Sequence, residues 1–412
     1  MRIFISTGEP SGDLHAANLI EALRKRHPDA EFVGFGGPHM QKAGATILFP
    51  LVDLAIMWFG RVLLNIRKFF RILDQADQYF ATHRPDAVVV IDYPGFHWWL
   101  AKRAKARGIP VFYFVPPQIW AWAGWRVNKV RKYIDHVLCS LPFEPPWYHA
   151  RNVPDAVYIG HPYFDELAER VLDESFLAAE RAKPGPIVAI LAGSRTQEVT
   201  KNLPMMLQAA AKLHRERPDV RFLVASLHER HQNLAREILA ESRLELPLEI
   251  LAARTPEVIR LANLAWAVSG SVGLELMVEA LPSVVVYKIR HFDLFVARRF
   301  IKSRYISLVN LLADDEVMPE YLTPVDVSSE MANWALKWLN DPSSREKASK
   351  TLADLRDKVA VPGASDRAAA RISEVVTAAR NIHPGGPQQG PHPPNTKPLD
   401  GSKPDSDDSV SA

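Results

Sequence analysis

Two strand–turn–helix signatures, one in each half of the chain, constrain its fold more than any other feature. The first half opens RIFISTGEPSGDLHAANLIEAL; the second opens IVAILAGSRTQEV and later runs LAWAVSGSVGLELMVEALPSVVVYK. In each, an apolar β-type run feeds a Gly/Ser turn, and the turn feeds an amphipathic helix. Such a turn leaves backbone N–H groups free at a helix N-terminus, where an anion such as phosphate is held. Two such halves predict two α/β domains with a nucleotide-bearing ligand in the cleft between them.

The alternation continues through both halves. RIFIST, EFVGFG, DAVVVID, PVFYFV and HVLCSL read as strands, with the near-continuous apolar character of a buried parallel sheet. Helical patterns lie between them, notably over residues 11–26 and 96–107. IVAILAG, RFLVAS, LEIL, LAWAVSG and SVVVYK repeat the scheme, as right-handed βαβ units require. The run AERAKPGPIV, with Pro184, Gly185 and Pro186, marks a linker. It predicts domains over 1–183 and 184–381, the second ending in helices over 329–380. The Pro-, Gly- and Ser-rich tail 382–412 is too poor in apolar residues to order itself.

Bulk properties exclude several classes. A net charge of +3 makes no case for nucleic acid. The single cysteine, Cys139, excludes an internal disulfide framework and a Cys-based zinc site; inside HVLCSL it reads as a buried, inert thiol. The chain starts directly on a strand pattern, without the basic and apolar regions of a signal peptide, so a cytoplasmic protein is expected. No run reaches the roughly 18 uncharged apolar residues of a spanning helix. Two segments nevertheless break the α/β pattern. LAIMWFGRVLLNIRKFFRIL (54–73) places Arg61, Asn65, Lys68 and Arg71 on one helical face, and RHFDLFVARRFIKSRY (290–305) mixes phenylalanines with basic residues. Each reads either as a helix lying on an anionic membrane surface or as a core-facing helix with a solvated basic face.

Four short constellations carry the chemistry. Asp92 closes the strand DAVVVID; a carboxylate there acts as a general base, accepts from a sugar hydroxyl, or caps the next helix. Gly8-Glu9-Pro10-Ser11-Gly12-Asp13 is a turn where glycine lets a ligand approach the backbone, with Ser11 or Asp13 also available as an N-cap. It is neither a GxGxxG fingerprint nor a Walker A loop. Gly193-Ser194-Arg195 follows the first strand of the second half, where Arg195 can grip a diphosphate bidentately and Ser194 can add a hydroxyl donor, or where Arg195 is simply a surface residue. Ser269-Gly270-Ser271 opens a helix carrying Glu275, an arrangement suited to phosphate and ribose hydroxyls. It is not a serine-hydrolase elbow, since Ser269 stands where GxSxG needs glycine. No HExxH or histidine cluster, and no DxD ahead of the tail, supports a metal site, and His15 and His161 are isolated. No metal and no cofactor is expected.

GEPSGDLHAANLI, FVGFGGPHM, VVIDYPGFHWWLAK, PPQIWAW, LPFE, IGHP, GSRTQEV, SGSVGLE and YISLVNLLA occur in this order over residues 2–375. In this combination the chain resembles the lipid-A-disaccharide synthases, glycosyltransferases with two Rossmann-like domains of the GT-B type. The resemblance implies transfer from UDP-2,3-diacylglucosamine to 2,3-diacylglucosamine 1-phosphate (lipid X), giving UDP and a β-1,6-linked disaccharide with inversion. It implies Asp92 as base or acceptor-orienting carboxylate and Arg195 as diphosphate clamp in place of a metal. Glu9, Ser11, Gly12 and Asp13 then line the amino-terminal wall of the cleft, and Gly193, Ser194, Ser269, Gly270, Ser271, Glu275 and Asn310 the nucleotide side. It further implies peripheral association with the cytoplasmic face of the inner membrane, and the helical C-terminal region offers a surface for a homodimer. Competing readings are a GT-B enzyme acting on another UDP-sugar or acceptor, and a drifted sugar-nucleotide or lipid-binding protein. The chain departs from the family's usual residues at Arg61 (for glutamate), Gly95 (for aspartate), His97 (for asparagine) and Thr323 (for glutamine).

Overall fold

The computed structural model describes residues 1–53, 66–300 and 303–382; Arg61, Asn65, Lys302 and the tail beyond 382 lie outside the described residues. Among the described residues the strands form two parallel sheets. The first contains β1 (Arg2–Thr7), β2 (Glu31–Phe35), β3 (Thr46–Phe49), β4 (Ala87–Ile91), β5 (Val111–Phe114), β6 (His136–Cys139) and β7 (Ala156–Tyr158), in the order β3-β2-β1-β4-β5-β6-β7. The second contains β8 (Ile187–Leu191), β9 (Arg221–Ser226), β10 (Leu248–Ala252), β11 (Leu264–Val268), β12 (Ser283–Lys288) and β13 (Glu320–Thr323), in the order β10-β9-β8-β11-β12-β13.

The apolar runs explain the layering. Side chains alternate across a strand, and in a sheet covered on both faces both sets must be apolar. Thus Phe4, Val88 and Val90 pack with Ile72, Phe80 and Leu100 on one face. Ile3, Ile5, Val89 and Ile91 pack with Leu19 and Leu23 of α1 (Pro10–Arg26) on the other. All ten strands read in the sequence form. The three it does not supply, β3, β7 and β13, are short sheet edges (TILF, AVY and EYLT). An edge strand needs only one partner and little length, so its pattern is weak.

In both sheets the winding reverses between the two central strands, β1 and β4 in the first, β8 and β11 in the second. Thr7 pairs with Ile91, so the chain leaves β1 and β4 side by side at Gly8 and Asp92. Leu191 pairs with Ala267, so the Gly193 and Ser269 turns also emerge together. Crevices at such reversal points are where open α/β sheets bind ligands.

Contacts, not the linker composition, assign the flanking helices. Phe164 packs into the second sheet's core with Leu274 and Met277, and Glu180 pairs with Arg221 of β9. The last helix, Ala364–Ile382, returns to the first sheet, where Ala368, Ala369, Ile372 and Val376 bury against Ile3, Leu19 and Leu23. Arg371 pairs with Asp155 at 2.9 Å and Arg380 with Asp86 at 2.6 Å. Asp165 accepts from the amides of Gly363, Ala364 and Ser365 at 2.6, 3.1 and 3.0 Å, supplying from another helix the cap that this one lacks. Asp165→Ala is expected to cost about 2 kcal/mol of unfolding free energy, read by urea titration. A loss below a few tenths would mean that water caps the helix equally well. Among the described residues no helix is long and apolar enough to cross a membrane.

Candidate active site in the interdomain cleft

The first reversal point is built on strained backbone. Beyond β4, Asp92 and Tyr93 both take left-handed conformations (φ 52° and 43°), at a cost of about 1–3 kcal/mol each. Two donors hold the turn at one carbonyl: Asp92 O accepts from Tyr113 Oη at 2.9 Å and from the His97 ring at 2.6 Å. The Tyr93 ring covers Gly8 so closely that a Cβ there would sit 2.5 Å from it. This glycine is what lets the GEPSGD turn lie beside Asp92. Gly12 is similarly constrained, since a Cβ would lie 2.2 Å from Thr7 Oγ1.

Glu9 and Asp92 therefore share one corner of the cleft. Burial raises the Asp92 carboxyl above the ordinary carboxylate range, opposed by the Tyr93 amide, His15 and Arg195. Burial also raises Glu9, the charge of Asp92 raises it further, and Arg195 opposes both. Arg195 belongs to the second domain, so the three candidate catalytic side chains face one another across the cleft. Ser11 is exposed at the same rim.

At the second reversal point Gly193 (φ 113°) turns the chain and Ser194 and Arg195 are exposed. The sequence alone suggests free amides at this turn, but two of them are taken. Glu198, in the first turn of the following helix, takes the Ser194 and Arg195 amides on Oε2 at 3.0 and 3.2 Å. Arg195 has only a 3.3 Å contact to Glu198 and its side chain is 64% exposed, leaving it able to swing. Ser269 donates to Ile306 O at 2.8 Å, while Gly270 and Ser271 stay exposed. Beside Ser269 a cavity of about 300 Å³ opens between the domains, walled by Gln118, Trp120 and Trp122 on one side and Tyr287, Tyr305 and Leu322 on the other. PPQIWAW supplies the first wall. The second wall is not legible locally, because its residues come from separate segments.

Three predicted ligand residues have other duties. Asp13 is buried and accepts from the amides of Gly37, His39 and Met40 at 2.8, 2.9 and 3.2 Å, capping α2 (Pro38–Lys42). Asn310 is fully buried. Its amide donates to Met318 O and Glu320 Oε2 and accepts from Val317 and Met318 N–H, which exhausts its capacity. Glu275 is buried beneath its turn, one oxygen accepting from Tyr163 Oη at 2.9 Å and the other from Arg170. It ties the helix that follows the Ser269-Gly270-Ser271 turn to the connection between the sheets, and both its oxygens are already engaged.

Comparison with known proteins decides the family. The family model described as lipid-A-disaccharide synthetase matches residues 3–372. The chain belongs to the lipid-A-disaccharide synthase family. It is 35% identical to the lipid-A-disaccharide synthase of Myxococcus xanthus over 92% of this chain and 98% of that one. It is 33% identical to that of Syntrophus aciditrophicus, over 89% and 96%. Among solved structures it is similar to the Staphylococcus aureus MnaA–UDP complex (TM-score 0.65, 12% identity, 95% of this chain and 100% of that one). It is likewise similar to the glycotransferase of kitacinnamycin (TM-score 0.62, 15% identity, 91% and 99%). These likenesses show the fold, two Rossmann-like domains of the GT-B type. Like its family, the chain is a glycosyltransferase of lipid A biosynthesis.

Proposed function

We propose that the cleft transfers the diacylglucosaminyl group of UDP-2,3-diacylglucosamine to the 6-hydroxyl of 2,3-diacylglucosamine 1-phosphate. The observation that carries this reading is the facing of two burial-raised carboxylates, Glu9 and Asp92, by Arg195 of the other domain. Asp92 takes the proton from the acceptor hydroxyl as that oxygen bonds to C1 of the donor sugar. The C1–O bond to UDP breaks on the opposite face, so an α-linked donor gives a β-linked product. Arg195 meets the charge that collects on the departing diphosphate. Glu9 orients the acceptor, with Ser11 and Gly12 beside it. Ser194, Gly193, Ser269, Gly270 and Ser271 line the nucleotide's side. The aromatic cavity offers apolar volume for an acyl chain. The test is a transfer assay in detergent micelles with EDTA present, following UDP and disaccharide together. Both products in equal amount support the reading; UDP without disaccharide, or UDP binding without turnover, counts against it.

The acceptor is a membrane lipid, and the exposed aromatic residues suit a peripheral membrane protein. Trp122 and Trp125 are exposed, with the Arg126 guanidinium 4.4 and 5.2 Å from their rings; Phe70 and Trp99 are exposed with Lys102 beside them. Amphipathic rings flanked by cations favour an anionic bilayer surface. The Trp122→Ser/Trp125→Ser pair is expected to weaken cosedimentation with phosphatidylglycerol vesicles by about tenfold. Undiminished binding would place the membrane contact elsewhere.

A further inference from the structure

His97 is fully buried on the helix Pro94–Ala106, five residues beyond Asp92, and the transfer chemistry above makes no use of it. Its two ring nitrogens face different partners. Nδ1 lies 2.6 Å from the carbonyl oxygen of Asp92, and Nε2 lies 3.0 Å from Ser6 Oγ at the end of β1. A carbonyl oxygen only accepts, so the proton is on Nδ1 and Nε2 must accept from the Ser6 hydroxyl. Burial pulls the ring's pKa down to about 4, which keeps it neutral and in that tautomer. The imidazole thus bridges β1 and β4 at the point where the sheet reverses. It anchors the one carbonyl between Asp92 and Tyr93 that must be fixed for both to stay left-handed. Tyr113 Oη, also buried, donates to the same oxygen at 2.9 Å.

We infer that His97 is a positioning residue for Asp92: its Nδ1–H, with Tyr113 Oη–H, holds the left-handed turn that aims the Asp92 carboxylate into the cleft. The inference rests on the proposed role of Asp92. The contact to Ser6 serves to fix the ring's tautomer and plane. Misplacing a reacting group by about 1 Å costs about 10²-fold in rate, so the effect belongs in kcat. UDP affinity resides on the other domain and is unaffected.

Two variants separate positioning from mere packing. Asparagine places an amide N–H where Nδ1 sits; glutamine reaches to where Nε2 sits and abandons the Asp92 carbonyl. Each leaves a buried polar group unpaired, so both lower the melting temperature comparably. His97→Asn is expected to keep kcat near that of wild type, and His97→Gln to lose about 10²-fold, with the Kd for UDP unchanged in both. Tyr113→Phe, which removes only the second donor, is expected to lower kcat less than His97→Gln does. Crystal structures supply a readout that needs no turnover: Asp92 and Tyr93 stay left-handed in His97→Asn and relax in His97→Gln. A glutamine variant with wild-type kcat overturns the inference, as does equal slowing of both His97 variants in step with their melting temperatures. A wild-type enzyme that makes no disaccharide sinks the transferase reading alone. The backbone of His97→Gln then decides: an unrelaxed turn overturns the positioning role, and a relaxed one supports it.

Discussion

Replacing Asp92 with asparagine is expected to slow transfer by about 10³-fold while leaving UDP affinity unchanged. The substitution keeps shape and volume, and the backbone carbonyl held by Tyr113 and His97 is untouched. Only the proton acceptor is lost. The pH profile makes the prediction sharper. Burial is the largest influence on this carboxyl and favours the neutral form, so its pKa lies above that of an ordinary aspartate. The ionised form is the active one, so activity is gained as pH rises through that raised value. The acid limb of kcat/KM should therefore sit above the usual carboxylate range, and the asparagine variant should lack it. Disaccharide formation is followed directly across that pH range. An asparagine variant with the wild-type rate and limb would remove Asp92 from the chemistry and leave Glu9 as the candidate base.

The placement of these groups was legible to an unequal degree, and the reason is physical. Apolar runs such as AVVVI are dictated by burial on both faces of a parallel sheet, so the central strands and their order of appearance could be read directly. The ends of those strands follow, which is why the sequence points to the turns that carry Asp92, Glu9 and Arg195, and their charges do act on one another in the fold. The edge strands β3, β7 and β13 answer to one neighbour each and leave little periodic trace. Polar residues near the turns misled in a different way. A buried Asp13 that caps α2 and an exposed Ser11 that lines the rim stand two positions apart in the same motif. Only the fold shows which of them has its hydrogen bonds already filled. Asn310 and Glu275 teach the same lesson: their partners, Met318 and Glu320 for one, Tyr163 and Arg170 for the other, are brought in by packing. His97 shows the converse. Inside GFHWW it looks like one more aromatic core residue, and its contact with Ser6, ninety-one positions away, is invisible without the sheet.

Arg195→Ala carries the second large expectation, a fall in kcat of about 10²-fold together with an altered pH profile. The guanidinium is the only one of the three cleft groups that can offset charge developing on a departing diphosphate. Its contact with Glu198 is long and solvated, so releasing it costs little. Its charge also lowers the pKa of both Glu9 and Asp92. Removing it lets both carboxyls rise further, so the acid limb of Arg195→Ala should move to higher pH than in wild type. The two effects are separable. Well above the limb Asp92 is ionised in both proteins, and what deficit remains there is the lost stabilisation of the leaving group. Arg195→Lys restores the charge but not the planar fork, so it should return the limb towards its wild-type position while recovering only part of kcat. A lysine variant that recovers both in full would show that a point charge suffices and that bidentate recognition plays no part. An alanine variant with unchanged kcat and an unmoved limb would mean that Arg195 faces solvent during transfer, and the counter-charge to the diphosphate would have to come from another group in the cleft.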